Sequence, residues 1–235
     1  MTSENDIVKH LHRLIDHTLL KPTATEADIR RLCHEAEQYQ FYAVCVHPVY
    51  VPLARQTLSE TDVKVCTVVG FPLGLHPVDV KQLEATGAVA DGADELDYVI
   101  NMAHVKNGEW DLIEDEMIAM RLVKEEASRP LVVKAILETG YLTGEELVRL
   151  CKMAADCGLD FVKTSTGFGP GGATAEHVAL MRHIVGEKCG VKASGGIRTK
   201  DDAVRMVQAG ANRIGTSSGI HILRQVEIQN DPISG

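Results

Sequence analysis

Three lysines stand at the ends of short apolar segments, and their spacing predicts amine chemistry. Lys163 ends one such segment and is followed at once by hydroxyl-bearing residues and glycines. Lys134 and Lys192 each lie 29 residues from Lys163, about the length of one strand–helix unit. If neighbouring strands of a barrel carry these segments, three ammonium groups face one small space. Such crowding favours the loss of one proton, and a neutral lysine is a nucleophile.

The cost of that proton loss can be bounded. A lysine amine needs its pKa lowered from about 10.4 to about 7–8 to act near neutral pH, which costs about 3–5 kcal/mol. Desolvation and a neighbouring cation can together supply it. Lys192 is the cation on the adjacent predicted strand, so we expect it to favour the neutral form of Lys163. A single lysine at a strand end more often extends to solvent, and it is the set of three that predicts catalysis.

Other polar residues on the predicted strands have open roles. Asp97 lies among apolar neighbours, so it either points into the barrel or is buried in an ion pair. Asp16, on the first strand, either binds a substrate hydroxyl or makes a local hydrogen bond. His17, His47 and His76 lie on three different units without paired spacing, which argues against a metal site.

Glycine-bearing loops follow the sixth, seventh and eighth predicted strands. Glycine lets the backbone approach a ligand closely, and amides at a helix start bind anions. In a barrel these loops commonly hold a phosphate group, so we expect a phosphate site here, with ordinary turns as the alternative. The candidate substrate-binding residues in these loops are Gly167, Gly195, Gly196, Arg198, Gly215, Ser217 and Ser218.

The elements that must position these residues alternate from end to end. The predicted strands cover residues 15–19, 42–46, 64–68, 95–100, 131–136, 160–163, 190–193 and 213–215. Helical spacing of apolar residues separates them, as in residues 145–157, and Thr25 and Thr143 have the sequence context of helix caps. Eight strand–helix units predict an α/β fold, a (β/α)8 TIM barrel with an extra helix at residues 4–13. A doubly wound open sheet is the competing interpretation. We expect residues 1–235 to form one domain.

Composition narrows the function further. The chain of 235 residues carries a formal net charge of −9, which opposes nonspecific binding to nucleic acid or anionic lipid. The first residues lack the layout of a signal peptide, and no apolar run is long enough to span a membrane. The six cysteines show no CxxC spacing, which is typical of free thiols in a reducing cytosol. We therefore expect a cytoplasmic enzyme.

Together these motifs closely resemble deoxyribose-phosphate aldolases, a family of class I aldolases. The resemblance runs from about residue 7 to residue 224. It rests on the segments Asp16-His17-Thr18, Cys45-Val46-His47-Pro48, Gly70-Phe71-Pro72-Leu73-Gly74, 91–97, Lys134-Ala135-Ile136-Leu137-Glu138-Thr139, Lys163-Thr164-Ser165-Thr166-Gly167-Phe168, Ser194-Gly195-Gly196-Ile197-Arg198 and Arg213-Ile214-Gly215-Thr216-Ser217. The lysine motif combined with the two glycine loops is highly specific.

The resemblance implies a TIM barrel that reversibly cleaves 2-deoxy-D-ribose 5-phosphate to D-glyceraldehyde 3-phosphate and acetaldehyde. It implies that Lys163 forms the Schiff base, and that Lys192 and Asp97 relay protons. Lys134 would support the pocket electrostatically, and the glycine loops would bind phosphate. Because the imine is the electron sink, no metal and no organic cofactor is expected. We expect a homodimer or homotetramer.

Two departures from the family pattern and two alternative functions remain. Leu75-His76-Pro77-Val78 and Ala85-Thr86-Gly87 differ from the commoner family segments, which affects loop conformation, substrate range and subunit contacts rather than the reaction. The tail at residues 225–235 shows no motif. The alternatives are a Schiff-base aldolase for another phosphosugar or a keto acid, and a noncatalytic phosphosugar-binding protein.

Overall fold

Eight parallel strands close into a barrel in the order β1 to β8. The computed structural model describes residues 4–230, with side chains described up to residue 226. The strands are β1 Ile15–Leu19, β2 Ala43–Val46, β3 Lys64–Val69, β4 Glu95–Val99, β5 Val132–Ile136, β6 Phe161–Lys163, β7 Gly190–Ser194 and β8 Arg213–Thr216. Because β8 pairs with β1, the sheet has no edge, and the barrel prediction is confirmed over the open sheet.

Helices surround the barrel. The α-helices are α1 Glu4–His10, α2 Glu26–Gln38, α3 Val51–Thr57, α4 Val78–Ala90, α5 Met102–Asn107, α6 Trp110–Glu126, α7 Gly144–Asp156, α8 Ala175–Val185, α9 Lys200–Gln208 and α10 Gly219–Asn230. The predicted N-terminal helix is present as α1, which a 3-10 turn at Leu11–Leu14 extends to the first strand. Two helices, not one, follow β4. No helix within residues 4–230 is long and apolar enough to cross a bilayer.

Local signals explain where several helices begin. Thr25 and Thr143 form capping boxes at the starts of α2 and α7, as predicted, and Thr199 forms a third at the start of α9. In each, the hydroxyl accepts a hydrogen bond from a backbone amide that has no partner within the helix. The unpredicted break between α5 and α6 has a similar cause. Asn101 caps α5, and Gly108 ends it with a left-handed φ of 72°.

The strands separate two layers with different chemistry. Their outward side chains and the inner faces of the helices form the main apolar core. Inside the barrel lie titratable side chains, because residues two apart on a strand point to the same side. Strand register sets their heights: Lys163 pairs with Lys192 on β7, whereas Lys134 pairs with Phe161, two residues below Lys163. Lys163 and Lys192 therefore share a level, and Lys134 lies one level lower.

Candidate active site

One carboxylate joins the three lysines inside the barrel. Asp97 accepts a hydrogen bond from Lys134 Nζ on one oxygen, at 2.9 Å. Its other oxygen accepts from Lys163 Nζ and from Lys192 Nζ, both at 2.7 Å. Asp97 and Lys134 are fully buried, as is Lys192, and Lys163 is 3% exposed. The structure thus brings together the three lysines and the aspartate that the sequence singled out.

Two further residues complete this layer, and sequence analysis did not identify them as site residues. Glu95, two residues before Asp97 on β4, accepts hydrogen bonds from Lys134 and from Arg213 on β8. Arg213 also binds Asp16, and its guanidinium lies 3.6 Å from the centre of the Tyr42 ring. The period-two spacing of Glu95 and Asp97 was the available signal, because it places both carboxylates on the same side of β4.

Counting charges in this layer identifies the lysine with the fewest carboxylate partners. Among the described residues, four cations (Lys134, Lys163, Lys192, Arg213) meet three carboxylates (Asp16, Glu95, Asp97). Each of the other three cations contacts two carboxylates, whereas Lys163 contacts Asp97 alone. Lys163 is therefore the least paired cation of this layer.

The partners of Lys163 are held in their charged forms. Burial alone would raise the pKa of Asp97, but the three lysines lower it well below its ordinary value. Burial would likewise raise the pKa of Asp16, but Arg213 and Lys192 lower it to about 2. For Lys192, burial acts to lower the pKa, and the carboxylates of Asp16 and Asp97 raise it well above its ordinary value. The carboxylates therefore favour the cationic form of Lys192 beside Lys163.

A cleft of about 310 Å³ opens above this layer at the carboxyl ends of the strands. Lys163 lines it, and neither Lys134 nor Lys192 does. The candidate residues that line the cleft are Lys163, Gly167, Gly195, Gly196, Arg198, Gly215, Ser217 and Ser218. Of the three lysines, only Lys163 reaches the cleft.

Two kinds of glycine shape the cleft. Gly167 and Gly196 have left-handed φ angles of 85° and 80°, and a Cβ added at either would meet nothing within 4 Å. Their missing side chains leave room for a ligand against the backbone. At Gly215 a Cβ would lie 3.1 Å from Lys192 Cε and 3.0 Å from Ser194 Cβ, so this glycine makes room for the lysine itself. The start of α10, just after Ser217 and Ser218, adds helix amides.

Two predicted substrate-binding residues lie elsewhere. Asp16 is buried, and its carboxylate accepts hydrogen bonds from Lys192 and Arg213. Lys134 is also buried and occupied, by Glu95 and Asp97. Neither lines the cleft. Both residues lie on their predicted strands, and their buried side chains do not reach the cleft.

Potential metal ligands in the described part of the chain overlap the ion-pair layer. One group is Cys45, Cys66 and Asp97, and the other is Asp16, Cys66 and Glu95. Neither group contains a histidine; His17 contacts Glu35, and His47 contacts the Leu20 carbonyl. The carboxylates of both groups are already paired with four cations, whose field repels a further positive ion. Cys45 and Cys66 are free thiols.

Comparisons with known proteins agree with this geometry. Residues 11–226 match the family model described as DeoC/LacD family aldolase. The deoxyribose-phosphate aldolase of Caldanaerobacter subterraneus is 50% identical over 226 residues, which is 96% of this chain and 97% of that protein. The deoxyribose-phosphate aldolase of Thermococcus gammatolerans is 55% identical over 220 residues, which is 93% of this chain and 95% of that protein.

Solved structures share the fold. The tetrameric deoxyribose phosphate aldolase of Aeropyrum pernix superposes with a TM-score of 0.85 at 36% identity, covering 96% of this chain and 99% of that chain. A structure described as QR15, an aldolase, superposes with a TM-score of 0.87 at 41% identity, covering 95% of this chain and 98% of that chain.

Proposed function

The chain belongs to the DeoC/LacD family of aldolases, and from this premise we propose the reaction and its residues. The enzyme is a class I aldolase that reversibly cleaves 2-deoxy-D-ribose 5-phosphate to D-glyceraldehyde 3-phosphate and acetaldehyde. The observation that carries this function is the position of Lys163. It is the least paired cation of the interior layer, and it lines the cleft between the glycine loops.

The reaction begins at the Lys163 amine. Neutral Nζ attacks C1 of the open-chain substrate, and loss of water leaves a protonated imine. The imine draws electrons from the C2–C3 bond when the C3 hydroxyl loses its proton, and D-glyceraldehyde 3-phosphate departs. The remaining enamine takes a proton at C2, and hydrolysis of the imine releases acetaldehyde and restores Lys163.

Lys192 and Asp97 have distinct parts in this cycle. Before substrate binds, both carboxylate contacts hold Lys192 as a cation, and its charge favours the neutral form of Lys163. Asp97 touches both amines through one oxygen, which lets it pass protons between them and a water in the cleft. Asp16, Glu95, Lys134 and Arg213 hold this arrangement in place. Because the protonated imine is itself the electron sink, the reaction has no need of a metal or an organic cofactor.

The phosphate binds among the glycine loops that line the cleft. Backbone amides at Gly167, Gly195 and Gly196, together with the start of α10, supply hydrogen bonds without a permanent charge. Arg198, Ser217 and Ser218 line the same region and complete the site. With its phosphate held there, the sugar lies with its aldehyde carbon toward Lys163.

The substrate is tested by comparing two phosphosugars. Purified enzyme is assayed for aldehyde release from 2-deoxyribose 5-phosphate and from ribose 5-phosphate, whose 2-hydroxyl is the only difference. We expect cleavage of the deoxy sugar to be much the faster. Preference for ribose 5-phosphate, or for a keto acid, would indicate another aldolase of the family. Ligand binding without turnover would indicate a phosphosugar sensor.

We further propose that residues 1–235 form one aldolase domain that works as a homo-oligomer in the cytoplasm. Exposed apolar side chains on α4 and the preceding loop, such as Leu75 and Leu83, support self-association. The Aeropyrum pernix relative is tetrameric. Free cysteines support a reducing compartment. Light scattering on the purified protein measures the assembly, and a monomeric mass would reject the homo-oligomer.

A further inference from the structure

A buried glutamate outside the ion-pair layer holds the loop after β6, which contains Gly167. Glu138 follows β5 and is 4% exposed. Its φ is 51°, a left-handed backbone conformation that residues other than glycine adopt infrequently. Residues kept in such conformations concentrate at functional sites, where the surrounding contacts enforce them. The contacts of Glu138 therefore need an explanation.

The carboxylate of Glu138 organises the loop after β6. One of its oxygens, Oε2, accepts two hydrogen bonds. One comes from the Thr166 amide, at 3.2 Å, and the other comes from the Thr166 hydroxyl. That hydroxyl in turn accepts from the amide of Phe168, at 3.0 Å. A single oxygen thus fixes the residues on either side of Gly167.

The opposite side of the carboxylate is closed by the same loop. A Cβ added at Gly169 would lie 2.7 Å from Glu138 Cδ, so the loop folds directly onto the carboxylate. The backbone on each side is also joined, because Thr139 donates to the Thr164 carbonyl at 2.9 Å. Residues 166–169 therefore take their shape from Glu138, which does not itself line the cleft.

We propose that Glu138 is a positioning residue that aims the Gly167 amide at the substrate phosphate. This inference rests on the proposed function, which places the phosphate against Gly167. Glu138 acts through Thr166 and does not touch the substrate. Its removal should weaken recognition of the phosphate group, while Lys163 and its partners keep their contacts.

The experiment compares a phosphorylated with a nonphosphorylated substrate. Glu138→Ala and Glu138→Gln are assayed with 2-deoxyribose 5-phosphate and with 2-deoxyribose. Hydrogen bonds to a charged group contribute enough that Glu138→Ala should raise KM for the phosphorylated sugar about tenfold to a hundredfold. Glu138→Gln keeps an acceptor oxygen and should recover most of this loss. For 2-deoxyribose, kcat/KM should stay within about twofold of the unmodified enzyme.

Gly169→Ala provides an independent second variant. It keeps the carboxylate but forces it away from the loop, and the backbone at Gly169 is not left-handed, so alanine is tolerated there. The same rise in KM for the phosphorylated sugar is expected. Glu116→Gln is the matched control, because Glu116 is also buried but pairs with Lys81 between α4 and α6. It should not change the ratio of the two substrates.

The outcomes separate the inference from the function on which it rests. If the unmodified enzyme cleaves neither sugar, the proposed function fails. If it cleaves both without preference for the phosphorylated sugar, the proposed phosphate site fails. If it prefers the phosphorylated sugar but Glu138→Ala and Gly169→Ala reduce kcat/KM equally for both sugars, Glu138 is merely structural and the inference is overturned.

Discussion

Replacing Lys192 by methionine should move the ascending limb of the pH–rate profile to higher pH. Lys163 Nζ and Lys192 Nζ are no more than 5.4 Å apart, because each lies 2.7 Å from the same oxygen of Asp97. Two unit charges at that distance repel by about 3 kcal/mol at an effective dielectric constant of about 20. The repulsion opposes a positive charge on Lys163, so its removal should displace the limb toward higher pH.

The rate to measure is that of Schiff-base formation, since Lys192→Met also removes a proton relay and lowers kcat. Each variant is incubated with acetaldehyde and cyanoborohydride across a pH series, and the modified fraction is followed by mass spectrometry. Lys81→Met is the control. Lys81 is equally buried and pairs with Glu116 at 2.7 Å, but it lies on α4 outside the barrel. Its loss should leave the limb in place. A limb that Lys192→Met does not move, or moves to lower pH, would refute the electrostatic role of Lys192.

Three other perturbations test the ion-pair layer. Asp97→Asn should lower kcat by at least about a hundredfold, since it removes the carboxylate shared by three lysines, and steady-state kinetics measures it. The pKa of Asp16 is lowered from 3.8 to about 2, so its ionised form stabilises the fold above about pH 4. This contribution to the free energy of unfolding, about 2 kcal/mol, is lost as the pH falls through 2. Urea unfolding midpoints should show that acid-dependent loss in the unmodified enzyme and a smaller one in Asp16→Asn. Gly215→Ala would push a methyl group against Lys192 Cε and Ser194 Cβ, and it should lower kcat more than it raises KM.

The strands were predictable because parallel barrel strands are buried on both sides and read as short apolar segments. Each predicted strand matches an observed one, with ends that differ by at most one residue. The threonine caps of α2 and α7 were predictable for a similar reason, since their hydrogen bonds are local in sequence. The second helix after β4 was missed although Asn101 and Gly108, which delimit α5, are themselves local signals.

The heights of side chains inside the barrel, and their partners, were harder to predict from the sequence. The interval of 29 residues placed Lys134 on the strand beside Lys163. Only the register shows that Lys134 lies opposite Phe161, one level below Lys163. Arg213 begins a strand, where a cation ordinarily reaches solvent, and its burial depends on Asp16, which is 197 residues away in sequence. Glu138 and Thr166 are linked by a contact between two loops. No periodic pattern encodes such contacts.

The most direct test of the account is to trap the Schiff base on the intact enzyme. Borohydride is added in the presence of acetaldehyde, and the digested protein is mapped for a lysine that carries an ethyl group. We expect modification of Lys163 and none of Lys134 and Lys192, because the carboxylates hold those two amines in their protonated forms. An adduct on either of those lysines, or no adduct in an enzyme that cleaves its substrate, would contradict the assignment of Lys163 as the nucleophile.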